Sequence, residues 1–395
     1  MSRWLALALA FSLSGCNCGK VRLDESDACA LNPDACSDGG VILASDAGPQ
    51  ACDVGAISGR VCAPDQQTWV NGATVSVSAT DCNGQPVVVR ATSAADGSFS
   101  LSGVPVGSWQ VHATLGAFTQ DTPVAVTANA TTAIPDNQLC VAQKTVKIAV
   151  VTGPGDQIEN LLTSLQLQFT SYGGDSNTWA SQAEPFLSDL SQMKQYDLIF
   201  IDCGAARLSG QDDFGSNKAT IEQNLHDYVI QGGSLYASDW ALLFATYAQP
   251  GAFDFATSSG SAVTDPLDTQ QLMGFAPQSI SGTVNDADLA TFLGKSNVTI
   301  SFPKQSGVSS LHWGLMQTVD PSVQVLVSAP SVQVCDGSGG CSSAGGTATN
   351  VPLAAMLKVT PVGTRGGNVV YTSFHNIAQS GTDVAQILKY LVLHL

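Results

Sequence analysis

Short runs of alternating apolar and polar residues recur between positions 55 and 141 of the chain. Clear examples are residues 73–78 (ATVSVS) and 109–113 (WQVHA), and turn pairs such as Asn71-Gly72 and Asp96-Gly97 separate such runs. A period of two places every second side chain on one face of a strand, and turn signals at this spacing are typical of an antiparallel sandwich. The pattern predicts a small all-β sandwich over residues 55–141.

A different pattern begins near residue 145, where continuous apolar runs alternate with segments of helical period. Residues 146–151 (VKIAVV) and 196–202 (YDLIFID) have the composition of strands buried on both faces of a parallel sheet. Helical spacing follows at residues 221–230 and 382–395. This order predicts an α/β domain over residues 145–395, with a mostly parallel sheet and helices on both faces. Residues 250–320 fit neither period, and we expect an insertion or irregular excursion there.

The first sixteen residues (MSRWLALALAFSLSGC) contain one arginine and then a short apolar run, which cannot span a bilayer as a helix. Their ending, Leu13-Ser14-Gly15-Cys16, resembles the lipobox of bacterial lipoproteins. The resemblance implies a signal peptide over residues 1–15 and acyl chains such as palmitate on Cys16. The protein would then be exported to the bacterial cell envelope and anchored in a lipid bilayer, at the outer membrane or cell surface. An ordinary secretory signal that ends near a cysteine is the alternative.

The chain carries a formal net charge of −17 in 395 residues, and only 12% of its residues are charged. This acidic balance disfavours nucleic acid as a partner, because proteins bind phosphates through clustered Lys and Arg. Residues 16–54 are rich in Asp, Ala, Gly and Ser and show no sustained period. They predict an acidic, flexible tether between the membrane and the folded domains.

The chain has 11 cysteines, so an even number remains if Cys16 carries lipid. An even number suits disulfide formation in an oxidising compartment. Neither a CxxC pair nor an HExxH motif is present, and we expect no metal or other cofactor. The sequence leaves connectivity around the sandwich open. The pairs considered are Cys335–Cys341, which flanks a short glycine-rich loop, Cys52–Cys140 and Cys62–Cys82.

Segments of the sandwich resemble the carboxypeptidase regulatory-like domain: residues 59–61 (GRV), 70–75 (VNGATV), 95–99 (ADGSF) and 104–109 (VPVGSW). The resemblance implies a transthyretin-like, carbohydrate-binding-like fold that serves as a structural or adhesive module and has no peptidase activity. A polysaccharide or another envelope protein would then be the partner. Three aromatic side chains could stack on a sugar face, or they could instead be core or edge residues of the sandwich: Trp69, Trp109 and Phe118.

Segments of the α/β domain resemble the class I glutamine amidotransferase-like fold, above all its trehalose-utilisation-type branch: residues 196–202, 225–236 (LHDYVIQGGSLY) and 369–375 (VVYTSFH). The resemblance implies a flavodoxin-like sheet in which His375 is the family histidine. The family's nucleophilic cysteine would follow the strand 234–237, where this chain has Ser238-Asp239-Trp240. Ile377 stands at the position of the family glutamate. We therefore do not expect amidotransferase chemistry.

The candidate catalytic residues are Asp239, His375 and Ser238. Asp239 and His375 follow predicted parallel strands, whose carboxyl ends line the ligand-binding edge of an α/β sheet. We expect the two side chains to approach each other there. An aspartate can orient a histidine and raise its basicity, and Ser238 could then act as a nucleophile. Candidate ligand-binding residues at the same edge are Asp156, Asp202, Trp240 and Asn376.

Each of these residues also has a structural alternative. The aspartates suit helix caps or turns, His375 suits a hydrogen-bonded rim position, and Cys203 is either a nucleophile or a buried core residue.

Two functions stay open. The first is a binding or structural envelope lipoprotein whose α/β domain is not catalytic. The second is a hydrolase or sugar-processing enzyme with an Asp239–His375 site.

Overall fold

The computed structural model describes residues 51–205, 207–208, 211–212, 217–255, 273–303, 312–335, 341, 343–360, 366–377, 379 and 381–395. The expected signal peptide, Cys16 and the tether as far as residue 50 lie outside the described residues. Residues Cys52–Leu395 form one compact unit. Within the described part of the chain, no helix combines the length and the apolar character that crossing a membrane requires.

The first part of this unit is a β-sandwich, as the alternating pattern predicts. One sheet has the strand order β4-β1-β7 and the other has the order β3-β2-β5-β6. Apart from the parallel pair β1 and β7, the strands pair antiparallel. The strands are β1 (Val54–Arg60), β2 (Thr74–Thr80), β3 (Pro86–Thr92), β4 (Ser98–Pro105), β5 (Gly107–Leu115), β6 (Phe118–Val126) and β7 (Thr131–Ala133).

Alternation along each strand separates the core face of the sandwich from its outer face. In β2, Val75 and Val77 are fully buried, whereas Ser78 is exposed. Phe118, at the start of β6, is also fully buried. Burial of one such side chain stabilises the fold by about 1.5–3 kcal/mol, so the apolar positions of this period hold the two sheets together.

Disulfides join the cysteines around the sandwich, but in a different pairing from the one considered above. Cys52 bonds to Cys82, and Cys62 bonds to Cys140. Cys62 and Cys140 are β-bridge partners with Cα atoms 4.2 Å apart, so strand pairing rather than sequence separation selects the partner. The expected local disulfide Cys335–Cys341 is present.

The second part of the unit contains helices and a large mixed sheet. Its helices are α1 (Ile158–Ser164), α2 (Ala183–Leu187), α3 (Leu190–Met193), α4 (Lys218–Ile230), α5 (Leu242–Ala248), α6 (Ala287–Leu293) and α7 (Asp383–His394). Its strands are β8 (Ile148–Thr152), β9 (Thr170–Gly173), β10 (Leu198–Ile201), β11 (Arg207–Leu208), β12 (Gln211–Asp212), β13 (Ser234–Ser238), β14 (Phe253–Phe255), β15 (Met273–Phe275), β16 (Gln278–Val284), β17 (Asn297–Phe302), β18 (His312–Gly314), β19 (Met316–Val319), β20 (Gln324–Cys335), β21 (Ala344–Lys358) and β22 (Asn368–Thr372).

The large sheet is only half parallel, which corrects the expectation of a mostly parallel sheet. Its order is β17-β16-β20-β21-β22-β13-β10-β8-β9. The strands β22, β13, β10, β8 and β9 pair parallel with one another, whereas β21, β20, β16 and β17 extend the sheet antiparallel from β22. Strands β20 and β21 form a long hairpin, with 12 and 15 residues, that turns the sheet from parallel to antiparallel pairing.

The irregular excursion expected at residues 250–320 is wrong where the structure describes them, whereas the alternative of an insertion stays a prediction. Strands β14 to β19 and helix α6 lie in this range. In β16 the burial pattern alternates because the strand lies near the antiparallel end of the sheet, so it lacks the continuous apolar run of the parallel strands. Short alternating strands give a weak signal in sequence, which is why this region fits neither period.

Side chains alternate across the parallel strands and so contribute to two hydrophobic cores. Val150 in β8 and Phe200 in β10 belong to a core shared with α1, α7 and the sandwich. Val151 and Ile201, one position further along, belong to a second core shared with α2, α4 and α5. Helices therefore cover both faces of the parallel half of the sheet.

The sandwich packs directly against α7. Gly116 lies in the turn between β5 and β6 with φ +54°, and a Cβ atom there would lie 2.6 Å from the backbone oxygen of Leu393. Lys389 Nζ lies 3.8 Å from Asp65 Oδ2 across the same contact. The carboxyl-terminal helix therefore joins the all-β part of the unit to the mixed sheet.

Candidate functional site

Neighbouring parallel strands end at the candidate site. Strands β22, β13, β10 and β8 are adjacent in the sheet, and their carboxyl ends are followed by His375, Asp239, Cys203 and Asp156. The carboxyl ends of parallel strands lie at one edge of a sheet, so side chains far apart in sequence meet there. Each of these four side chains is buried.

Asp239 is the centre of this cluster. His375 Nε2 lies 3.7 Å from Asp239 Oδ2, and the Cys203 thiol donates a hydrogen bond to the same oxygen at 3.4 Å. The other carboxylate oxygen, Oδ1, accepts a hydrogen bond from the Gly314 amide at 2.6 Å. The structure thus brings Asp239 and His375 together and adds Cys203 to them.

The backbone at Asp239 turns sharply at the end of β13. Its φ is +44°, which an L-residue with a side chain rarely adopts, and a 3₁₀ turn begins there (Asp239–Ala241). The Tyr371 hydroxyl donates a hydrogen bond to the Asp239 backbone oxygen at 2.8 Å. A Cβ atom at Gly314 would lie 2.6 Å from that hydroxyl oxygen. Only glycine allows β18 to approach this turn so closely, and the turn aims the carboxylate at Cys203 and His375.

Ser238 is fully buried and joins two neighbouring strands. Its hydroxyl donates to Asp156 Oδ2 at 2.7 Å and accepts from the Cys203 backbone amide at 3.0 Å. Its hydrogen is therefore directed at Asp156. In this arrangement Ser238 positions the segments that carry Cys203 and Asp156, and its expected role as a nucleophile stays a prediction.

Asp156 and Asn376 connect the start of α1 to the segment after β22. Asp156 Oδ1 accepts hydrogen bonds from the amides of Gln157 at 2.8 Å and Asn376 at 3.1 Å. The Asn376 side chain donates to the Gln157 backbone oxygen at 2.6 Å. Burial raises the pKa of Asp156, although the charge of His375 and these hydrogen bonds oppose that shift. The contacts hold His375 beside the sheet edge.

Asp202 lies next to the cluster, just before Cys203, and is fully buried. Burial raises its pKa well above the usual range, and the charges of Asp156 and Glu159 raise it further. The structure places Asp202 near the predicted site, directly before Cys203 in the chain.

Cys203 is a buried thiol whose surroundings disfavour the thiolate form. Burial raises its pKa well above the usual value, and the negative charge of Asp239 raises it further. A hydrogen bond from the Trp240 backbone amide opposes the shift only in part, and the half-buried Trp240 ring packs against the second core. A protonated, buried thiol is a poor nucleophile, so the structure favours the core interpretation of Cys203 over attack by a free thiolate.

The side chains at this edge of the sheet are shielded from solvent as well as hydrogen-bonded. His375 is 7% exposed, Asp239 is 4% exposed and Cys203 is 3% exposed. Such a cluster can share protons internally or hold a small ion, but a large substrate would require it to open.

The sequence pattern does not group Cys203 with Asp239 and His375, and it carries no signal for Tyr371 or Gly314 at this site. The topological rule that selected Asp239 also applies to Cys203, because β10 and β13 are neighbours and each residue lies within two positions of its strand's end. Gly314 carries no such signal, since its place beside Asp239 depends on a strand pairing outside the parallel half of the sheet.

The aromatic side chains considered for sugar stacking have structural roles. Phe118 is fully buried. The Arg60 guanidinium covers the ring of Trp69 at 3.8 Å from its centroid. Trp109 packs against the core and donates from Nε1 to the Pro105 backbone oxygen at 2.7 Å.

A groove of about 540 Å³ lies on the sandwich, where β2, β5 and β6 run side by side. Its exposed members alternate with buried core residues along the strands, so they belong to the outer face of the sheet. The pairs Ser108–Ala125 and Gln110–Pro123 stand opposite each other in register. The lining residues are Ser78, Ser108, Trp109, Gln110, Pro123, Val124 and Ala125.

The family comparison agrees with the sandwich in extent and fold. Residues 56–139 match the family described as "Carboxypeptidase regulatory-like domain". These residues form a carboxypeptidase regulatory-like domain. The match begins within β1 and ends just after β7, so the carboxypeptidase regulatory-like domain is the sandwich itself.

Among curated proteins, none matches this chain. Two solved structures are weakly similar to it. A glutamine amidotransferase from Thermotoga maritima matches with a TM-score of 0.34 and 6% identity, over 58% of this chain and 76% of that one. A cold-adapted β-galactosidase from Rahnella sp. R3 matches with a TM-score of 0.31 and 11% identity, over 62% of this chain and 31% of that one.

Proposed function

We propose that the protein is an exported, lipid-anchored envelope protein that acts by binding, with the carboxypeptidase regulatory-like domain as its binding module. The family match of residues 56–139 carries this proposal, because domains of this kind serve as structural or adhesive modules. The closed Asp239–His375 edge agrees with a binding protein, since buried and hydrogen-bonded groups offer no open cleft for a large substrate.

The disulfides support export. Cys52–Cys82, Cys62–Cys140 and Cys335–Cys341 are bonded in the described part of the chain. Structural disulfides persist in oxidising compartments such as the bacterial periplasm and the cell surface. The site of anchoring would be Cys16, at the end of the lipobox-like segment.

Replacing Cys16 with serine tests the anchor. The variant should leave the membrane fraction and lose the mass of the acyl chains, because hydrocarbon burial is what retains a lipoprotein. Cys18→Ser, two residues away, is the matched control and should stay with the membrane. A Cys16→Ser protein that fractionates like the parent, with an unchanged mass, would contradict lipidation.

The ligand that best fits the sandwich groove is a neutral polysaccharide. The residues that line the groove carry no charge, and their hydroxyl and amide groups can exchange hydrogen bonds with sugar hydroxyls. Of the three aromatic residues named for stacking, Trp109 lines the groove, whereas Trp69 is covered by Arg60 and Phe118 is buried.

Filling the groove tests this assignment. Ser108→Trp places a large ring in the groove, whereas Ser100→Trp places the same ring on an exposed position of β4 in the other sheet. Tryptophan is favoured in strands, so both variants should fold. Screening the purified chain against immobilised glycans should show binding that Ser108→Trp abolishes and Ser100→Trp preserves. Equal binding by both variants would remove the groove as the site.

A hydrolase or sugar-processing enzyme is the second candidate. It is favoured by the 3.7 Å approach of His375 to Asp239 at a backbone turn with positive φ, because strained turns cluster at functional sites. The enzyme would be favoured if the chain hydrolyses a glycan and if Asp239→Asn and His375→Ala each abolish that activity while the protein stays folded. Glycan binding that survives both substitutions would favour the binding protein.

A further inference from the structure

The cluster of Cys203, Asp239 and His375 has the donor set and the spacing of a metal site. One ligand atom from each residue, a sulfur, an oxygen and a nitrogen, lies within 4.8 Å of the others, and all three residues are buried. These residues come from the ends of three neighbouring strands, β10, β13 and β22. We propose that Cys203, Asp239 and His375 bind a zinc ion.

Two of the three distances between the ligand atoms fit a tetrahedral ion. Zinc bonds of about 2.3 Å to sulfur and about 2.0–2.2 Å to nitrogen and oxygen place tetrahedral ligands about 3.5 Å apart for S···O and about 3.4 Å apart for N···O. The separations here are 3.4 Å from Cys203 Sγ to Asp239 Oδ2 and 3.7 Å from His375 Nε2 to the same oxygen. These two separations need to change by only a few tenths of an ångström, and the third, from the Cys203 sulfur to the His375 nitrogen, is at most 4.8 Å.

Charge also favours a divalent cation at this place. A thiolate and a carboxylate carry one negative charge each and a neutral imidazole carries none, so their sum with Zn²⁺ is zero, which suits a buried site. On binding, the Cys203 S–H bond breaks, a Zn–S bond forms and the proton leaves to solvent.

Surrounding hydrogen bonds hold the ligands in place before the ion arrives. The Gly314 amide binds Asp239 Oδ1, which leaves Oδ2 directed at the other two ligands. Tyr371 holds the Asp239 backbone, and Ser238 holds the Cys203 backbone. Such outer contacts orient metal ligands and are typical of built metal sites.

The donor set selects the kind of metal. A thiolate and an imidazole suit zinc and related transition metals, whereas Ca²⁺ and Mg²⁺ require oxygen ligands. Three protein ligands leave a fourth position for water, as in catalytic zinc sites. In that arrangement Asp239 and His375 serve as ligands and not as an acid–base pair.

Cobalt titration of the full chain tests the proposal. Co²⁺ replaces Zn²⁺ in such sites and produces a thiolate-to-cobalt absorption band in the near ultraviolet. The chain, stripped of metal by a chelator, should bind one equivalent of Co²⁺ with this band, and Zn²⁺ should displace it. Cys203→Ser should lose the band, and Asp239→Asn and His375→Gln should weaken binding at least tenfold. Tyr371→Phe, which removes only an outer contact, should weaken it by about 10–100-fold.

Controls separate this site from other donors and from misfolding. The triple serine variant of Cys18, Cys29 and Cys36 and the single variant His226→Gln should keep the band. Zn²⁺ should raise the melting temperature of the parent chain but not that of Cys203→Ser, because only a native-state ligand stabilises the fold. A band that persists in Cys203→Ser, or a folded parent chain that takes up no stoichiometric Co²⁺, would overturn the zinc site. Neither result bears on glycan binding, which the sandwich variants test separately.

Discussion

Alanine at Gly314 should destabilise the fold through its contact with the Asp239 turn. The new Cβ atom would lie 2.6 Å from the Tyr371 hydroxyl oxygen and 3.0 Å from the Asp239 backbone oxygen. The backbone oxygen has little freedom to move, so the Tyr371 ring must retreat. That movement breaks its hydrogen bonds to Asp239 O at 2.8 Å and to Gly314 O at 3.3 Å.

The magnitude follows from the terms that this movement changes. Adding a methyl group to a packed interior costs about 1–3 kcal/mol, and a buried hydroxyl without its acceptor costs about 1–3 kcal/mol. Alanine also lowers the conformational entropy of the unfolded chain, which stabilises the folded state by about 0.4–1 kcal/mol. The free energy of unfolding should therefore fall by about 1–6 kcal/mol.

Urea unfolding of Gly314→Ala measures this loss, with Gly346→Ala in β21 as the matched control. A Cβ atom at Gly346 would have its nearest neighbour, Val334 Cγ2, at an ordinary 3.8 Å, so the control should change stability by at most about 0.5 kcal/mol. Tyr371→Phe in the Gly314→Ala background removes the crowded oxygen, and the two substitutions should be non-additive. Equal urea midpoints for Gly314→Ala and Gly346→Ala would refute the close approach as a constraint on residue 314.

Other predictions concern the disulfides and the response to acid. Replacing both cysteines of the Cys62–Cys140 disulfide, which has a sequence separation of 78, should lower the free energy of unfolding by about 4.5 kcal/mol. The same change at Cys335–Cys341, with a separation of 6, should lower it by about 2.4 kcal/mol, because opening a longer loop returns more conformational entropy to the unfolded chain. Equal losses in urea unfolding would contradict this. Burial tends to raise the pKa of Asp383, but hydrogen bonds from Lys295 and Thr299 outweigh burial and lower it. Its contribution to stability should thus be complete above the unfolded-state pKa of about 3.9 and vanish as pH falls through the lower folded value. When the free energy of unfolding is measured as pH is lowered, it should fall less steeply in Asp383→Asn than in the parent chain. The same slope in both proteins would count against the ion pair.

Local pattern by itself determines a large part of this protein's architecture. Continuous apolar runs such as residues 196–202 predict the parallel strands, because a strand buried on both faces has no polar side to show. Alternation and turn residues predict the sandwich over 55–141. The Cys335–Cys341 pair is predictable because its cysteines are close neighbours in the chain.

Only tertiary structure decided the partners. The Cys62–Cys140 disulfide follows from a β-bridge between segments far apart in sequence, which no local pattern records. The antiparallel half of the large sheet is likewise a matter of strand pairing, and β16 looks in sequence like any short alternating segment.

The candidate site shows the same division. The sequence placed Asp239 and His375 at the ends of strands, and the rule for α/β sheets predicted a common edge. The addition of Cys203, 3.4 Å from Asp239, and the anchoring of the carboxylate by Gly314 depend on how the strands are ordered and how β18 folds back. Local periodicity specifies which residues are buried, whereas distances between side chains are set by long-range pairing and packing, so the chemistry of this edge is a property of the fold.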